Sequence, residues 1–177
     1  MLPLVRAIYE DNRRLLAYLR TNQELSFANS VENILPKVLL LATASHLEFA
    51  LQNLILDYFR EVTDNRGHAV SFIEKKAVLR QFHTYFSWDT SNANSFFALF
   101  GNDFKVAMTA LSLKVSEFAA AVKDFVAIGL LRNKLVHQNY AAFTMENTGD
   151  EIWRMYESAL RFIERFPLLL REHSSGA

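Results

Sequence analysis

Apolar residues recur along this chain at the three- and four-residue spacing of amphipathic helices. Over residues 3–22, Val5, Ile8, Leu15, Leu16 and Leu19 make one stripe, with Arg6, Arg13, Arg14 and Arg20 mostly on the wet side. A second, longer helix is expected over 29–63. Pro36 falls near its start, where proline is tolerated, and Asp64-Asn65-Arg66-Gly67 ends it. A third covers roughly 69–87. Residues 88–102 read as irregular, with one short helix through Phe96-Phe97-Ala98-Leu99-Phe100. Asn102 or Asp103 then caps a fourth helix running to about Ile128. Val106, Met108, Leu111, Leu113, Val115, Phe118, Val122 and Phe125 make that helix apolar nearly all round, which predicts a place in the middle of a bundle. Gly129 is expected to kink or end it. After a polar loop at 139–147, Thr148-Gly149-Asp150-Glu151 has the capping-box pattern. Ile152, Tyr156, Ala159 and Ile163 supply the buried stripe of a last helix that Pro167 bends or ends. The pattern adds up to an all-α fold, a compact bundle of about five helices. It forms one domain over 1–173, followed by a disordered tail at 174–177.

Composition narrows the function classes. A chain of 177 residues, half of them hydrophobic and 15 of them Phe, is long enough for one domain with a sizeable core. Its 19 basic and 19 acidic residues cancel, so a broad electrostatic grip on nucleic acid is not expected. Any RNA contact has to be a local basic site. Without cysteine, disulfides and thiolate zinc sites are excluded. The N-terminus MLPLVRAIYEDNRR meets charge too early for a signal peptide. The run Val38-Leu39-Leu40-Leu41-Ala42 is short for a membrane span, and Ser45, His46 and Glu48 follow it. A soluble, cytoplasmic protein with no membrane contact is expected.

One hexapeptide can carry chemistry: Arg132-Asn133-Lys134-Leu135-Val136-His137. Arginine holds phosphate with a planar, permanently charged fork. Histidine exchanges protons near neutral pH. With 12 Arg and 5 His, one Arg-x4-His pair arises by chance about a third of the time, so spacing alone is weak. Context adds to it: this pair closes the most apolar helix and carries Asn directly after Arg. At about 100° per residue, Asn133 and His137 share a helix face. Arg132 starts about 140° round from His137, and its long side chain can swing toward that face. Leu135 and Val136 can then pack inward. The plainer alternative is a helix-terminal Arg and His that balance the negative helix end.

The stretch Leu131-Arg132-Asn133-Lys134-Leu135-Val136-His137 resembles the Arg-Asn-x3-His motif of the HEPN superfamily. The whole chain resembles a stand-alone bacterial HEPN protein, with the motif late in the chain and ahead of a final helix. The resemblance implies a four-to-five-helix bundle acting as a homodimeric, metal-independent RNA endonuclease that needs no cofactor. Many relatives are toxins or anti-phage effectors, so an antitoxin or regulatory partner is also implied; others have lost activity. Arg132 and His137 match the motif directly, and Asn133 matches its usual polar residue. Some toxin relatives place a Tyr two residues after the His; here Asn139 holds that position and Tyr140 follows.

Cleavage by the RNA 2′-hydroxyl needs a base for that proton, an acid for the leaving oxygen and a cation for the crowded phosphorane. Each proton role is worth roughly 10²–10⁴-fold. One His does not easily do both jobs, which favours two His137 and two Arg132 meeting in a two-fold cleft. In that scheme His137 is base or acid, Arg132 neutralises phosphate, and Asn133 orients either one. Glu48, Lys134 and Tyr140 are the candidate substrate contacts. His46 and Glu48 interrupt an apolar helix and either line the same cleft or are satisfied polar residues. No Glu-x-x-His occurs, so a di-iron or zinc signature is missing. The aromatic cluster Phe82, Tyr85, Phe86, Trp88, Phe96, Phe97, Phe100 and Phe104 is expected to be core or interface before it is a base-stacking surface. The patches Lys75/Lys76/Arg80 and Arg154/Arg161/Arg165 read most simply as solvated helix faces, and either could guide RNA locally. Two other classes stay open: a catalytically inactive HEPN-type binding or dimerisation module, and a structural helical partner protein.

Overall fold

A computed structural model describes residues 2–174; of the tail expected to be disordered, 175–177 lie outside the described residues. The described residues form α1 (Leu2–Thr21), α2 (Leu25–Val62), α3 (Gly67–Ile73), a π-helical turn (Glu74–Val78), α4 (Phe82–Tyr85), α5 (Asn94–Ala98), α6 (Asn102–Lys114), α7 (Ser116–His137) and α8 (Gly149–Ser174). The expected all-α bundle is present. Its long members are α1, α2, α6, α7 and α8, and three short helices bridge α2 to α6.

The helix limits differ from expectation in ways that packing explains. α2 begins at Leu25, so Pro36 lies in its interior rather than near its start. An interior proline costs about 3 kcal/mol. Leu35, Pro36, Leu39 and Leu40 are all buried there, and that burial, at about 1.5–3 kcal/mol per large side chain, outweighs the cost. The third helix breaks after Val78, because Arg80 adopts φ +63°, in the left-handed region. The fourth is two helices. Val115 is extended (φ −120°, ψ 95°) and serves both: its N–H closes α6 on Leu111 and its carbonyl accepts from Ala119 to open α7. Only α7 is central. It buries Phe118, Val122, Phe125 and Ile128, whereas Val106 and Leu113 of α6 face solvent. Gly129 neither kinks nor ends α7, and α8 continues through Pro167 because Leu169 and Leu170 beyond it are buried. Of the pair expected to pack inward, Leu135 is buried and Val136 is 46% exposed.

The capping box forms as the sequence implied. Thr148 N–H donates to Glu151 Oε2 (2.8 Å) and Glu151 N–H donates to Thr148 Oγ1 (3.2 Å). At the far end of α8, Arg171 donates through Nε and Nη2 to both oxygens of the Glu61 carboxylate on α2. The core runs between α2, α7 and α8, filled by Leu39, Leu47, Leu51, Phe125, Tyr156 and Phe162. α2 is long and apolar enough, by length and composition, to cross a membrane. Its apolar side is instead spent on the core, where Leu39, Leu40, Leu47 and Leu51 contact α7 and α8 neighbours within one hydrophobic cluster.

Candidate functional site

The last three turns of α7 place Phe125, Ile128, Gly129, Arg132, Asn133 and His137 along one wall of a cavity of about 550 Å³. Steps of three and four residues keep these positions on a single helix face. Ala44, Leu47 and Glu48 of α2 form a second wall. The third comes from Arg80, Phe82, His83 and Trp88, around α4. The lining therefore combines apolar and aromatic side chains with Glu48, Arg80, His83, Arg132, Asn133 and His137.

Within the motif, Arg132 Nη1 donates to Asn133 Oδ1 at 3.2 Å. No ion pair to Arg132 or Arg80 and no hydrogen bond from the His137 ring occurs among the described residues. Glu48 is the one carboxylate in the lining, and Gln52 Nε2 donates to it at 3.3 Å. Two guanidiniums thus face one carboxylate, a local positive site on a chain whose formal charge is zero.

A larger cavity of about 830 Å³ lies between α1, α2 and the loop after α7. Its cations are already matched: Arg20 pairs with Glu32, Arg13 with Asp150 (3.8 Å), and Lys37 Nζ donates to the Tyr140 carbonyl (2.9 Å). Unmatched cations mark the smaller cavity as the better place for an anion, despite its size.

The segment bearing Arg80, His83 and Trp88 is tied down at several points. Tyr85 Oη donates to the Ala77 carbonyl, and burial pushes the phenol pKa up to about 12, so it stays a donor. Ser95 Oγ donates to the Tyr85 carbonyl (3.1 Å) and accepts from the Ser87 N–H (3.0 Å). Trp88 Nε1 donates to the His83 carbonyl at 2.9 Å. The edge of the Trp88 indole also comes close to Gly129: a Cβ there would sit 1.9 Å from Cζ3 of the ring. Glycine at 129 is a close-approach site, not the kink the sequence suggested.

The expected site residues divide. Arg132, Asn133, His137 and Glu48 come together in the cavity. Lys134 is exposed on α7 outside the lining. Tyr140 also lies outside it, its ring 5.2 Å beneath the Lys37 ammonium. His46 turns away from Glu48 to Tyr156. Burial lowers the His46 pKa and raises that of Tyr156, which favours the neutral form of each in their mutual hydrogen bond. The aromatic cluster splits as well. Phe96 and Phe97 are core, packed on Phe162 and Phe166, while Phe82 and Trp88 line the cavity.

Sequence reasoning missed His83 and gave Arg80 only a place in a basic patch that could guide RNA. Leu79-Arg80-Gln81-Phe82-His83 reads as part of one continuous helix and matches no motif; only the basic patch around Arg80 hinted at it. Among the described residues no group of three or more His, Asp or Glu side chains could hold a metal ion. A protein-family model described as RiboL-PSP-HEPN matches residues 6–172. No curated protein and no solved structure gives a match.

Proposed function

Because the chain belongs to the RiboL-PSP-HEPN family, we propose that it is a metal-independent RNA endonuclease of the toxin–antitoxin or anti-phage defence type, with the Arg132/His137 cavity as its active site. The observation that carries this reading is an arginine without a carboxylate partner on the same cavity wall as a histidine without one. In the reaction, His137 takes the proton of a ribose 2′-hydroxyl as that oxygen attacks the adjacent phosphorus. Arg132, held by Asn133, stabilises the charge that collects on the non-bridging oxygens. The P–O5′ bond breaks, leaving a 2′,3′-cyclic phosphate and a 5′-hydroxyl. Glu48 orients groups at the cavity wall. Lys134 and Tyr140, outside the cavity, contact the strand beyond the cleaved bond. The protein works in the cytoplasm as a homodimer, two cavity mouths sharing one RNA-binding cleft, and an antitoxin or regulatory protein restrains it.

The test is cleavage of single-stranded RNA in excess EDTA by wild type, Arg132→Ala and His137→Ala. Metal-free cleavage that both variants lose by about 10²-fold or more supports the reading. Absence of cleavage, with RNA still bound, assigns the protein instead to the catalytically inactive binding modules. A monomer in solution sinks the shared cleft.

A further inference from the structure

We infer that His83 is the second proton-transfer group of this active site, so that one chain carries both the base and the acid of the cleavage step. The inference rests on the ribonuclease reading and names a residue which that reading does not supply. Transesterification moves two protons: one leaves the 2′-oxygen as O2′–P forms, and one must reach O5′ as P–O5′ breaks. The titratable residues lining the cavity are Glu48, Arg80, His83, Arg132 and His137. Arginine gives up no proton in a protein. Glu48 accepts from Gln52. His83 is left as the group suited to partner His137 in the same cavity.

Its placement fits the role. The His83 ring is solvent-exposed and makes no hydrogen bond among the described residues, so it is open to substrate. Its backbone is fixed by the Trp88 indole on its own carbonyl, and α4 is anchored by Tyr85 on Ala77. Arg80, three residues earlier and in a left-handed conformation, brings a second guanidinium to the same cavity. Two arginines and two histidines then line one cavity, the groups an in-line transfer at phosphorus needs. We assign His137 the 2′-hydroxyl proton and His83 the proton delivered to O5′. Net proton balance is zero: His137 ends protonated, His83 ends neutral, and solvent exchange resets both.

The decisive experiment uses the full chain and two oligonucleotides with one cleavable linkage, one with the ordinary 5′-oxygen and one with sulfur in its place. Thiolate leaves without protonation, so a missing acid costs little on the sulfur substrate. His83→Ala is expected to slow the oxygen substrate by about 10²–10⁴-fold and to come within about tenfold of wild type on the sulfur substrate. His137→Ala is expected to be slow on both. Wild-type rates from His83→Ala on the oxygen substrate, or equal slowing on the two substrates, overturn the inference while leaving the ribonuclease reading intact. Recovery of His137→Ala on sulfur instead overturns the assignment of acid and base. A wild type that cleaves neither substrate overturns both proposals together.

Discussion

Replacing Gly129 with alanine pits helix propensity against the cavity. Alanine in a helix interior is favoured over glycine by about 1 kcal/mol, so propensity alone has the variant more stable. The structure opposes this. The new Cβ would stand 1.9 Å from Cζ3 of Trp88 and 2.7 Å from two further ring atoms, more than 1 Å inside ordinary contact. The indole must shift, against Phe86 at 4.9 Å and Phe82 at 5.6 Å between ring centres. Overpacking of this kind costs about 1–3 kcal/mol. Loss of the Trp88 bond to the His83 carbonyl adds about 0.5–1.5 kcal/mol. The net expectation is destabilisation by about 0.5–3.5 kcal/mol, a Tm lower by roughly 1–14 °C for a chain of this size. Because Trp88 lines the cavity one turn from Arg132, cleavage should fall too. The chain has two tryptophans, and Trp153 stacks on Tyr9 outside the cavity. In a Trp153→Phe background, emission therefore reports Trp88 alone, and it should move to the red in Gly129→Ala. A higher Tm with unchanged Trp88 emission would refute the reasoning, since propensity would then have won with the ring at rest.

Arg80→Gly should separate stability from function. A non-glycine residue in the left-handed region costs roughly 1–2 kcal/mol, so Tm should rise by a few degrees while RNA cleavage falls; unchanged cleavage would remove Arg80 from the phosphate site. The His46–Tyr156 pair should make stability depend on pH. Burial lowers the folded pKa of His46 below its unfolded value, so stability is full above about pH 6.5 and declines as pH drops below it, because the unfolded chain takes up the proton first. The Tm difference between about pH 7.5 and about pH 5.5 should shrink in His46→Asn, and an identical difference in both proteins would show that His46 is not its source. Thr148→Ala removes the N-cap of α8 and should cost about 1 kcal/mol, seen as a Tm lower by roughly 2–4 °C; no change would mean that packing alone sets the start of the helix.

The helical class, the start of α8 and the identity of the motif were legible in the sequence because each depends on neighbours a few residues away. A capping box closes over four residues, and the two hydrogen bonds between Thr148 and Glu151 are the ones that pattern calls for. Helical spacing put Asn133 and His137 on one face, and they share a cavity wall. Helix limits were less legible. Pro36 and Pro167 are stop signals locally, yet α2 and α8 run through them because Leu39, Leu40, Leu169 and Leu170 find partners in the core. Val115 looked like one more apolar position in a continuous helix, and it is where the chain turns between α6 and α7.

Composition and local pattern by themselves determined that this is an all-helical chain with one Arg-Asn-x3-His motif at the end of an apolar helix. Only the tertiary structure decided what faces that motif. Glu48 and His46 are two residues apart in sequence, yet packing sends one to the cavity and the other to Tyr156. Arg80 and His83 lie some fifty residues before the motif, in a stretch that reads as one continuous helix and breaks at Arg80. A left-handed arginine, a tyrosine bond to Ala77 and an indole close to Gly129 carry them to the same cavity. Those are contacts between distant parts of the chain, selected by shape and burial rather than by spacing, and so they leave no local trace to read.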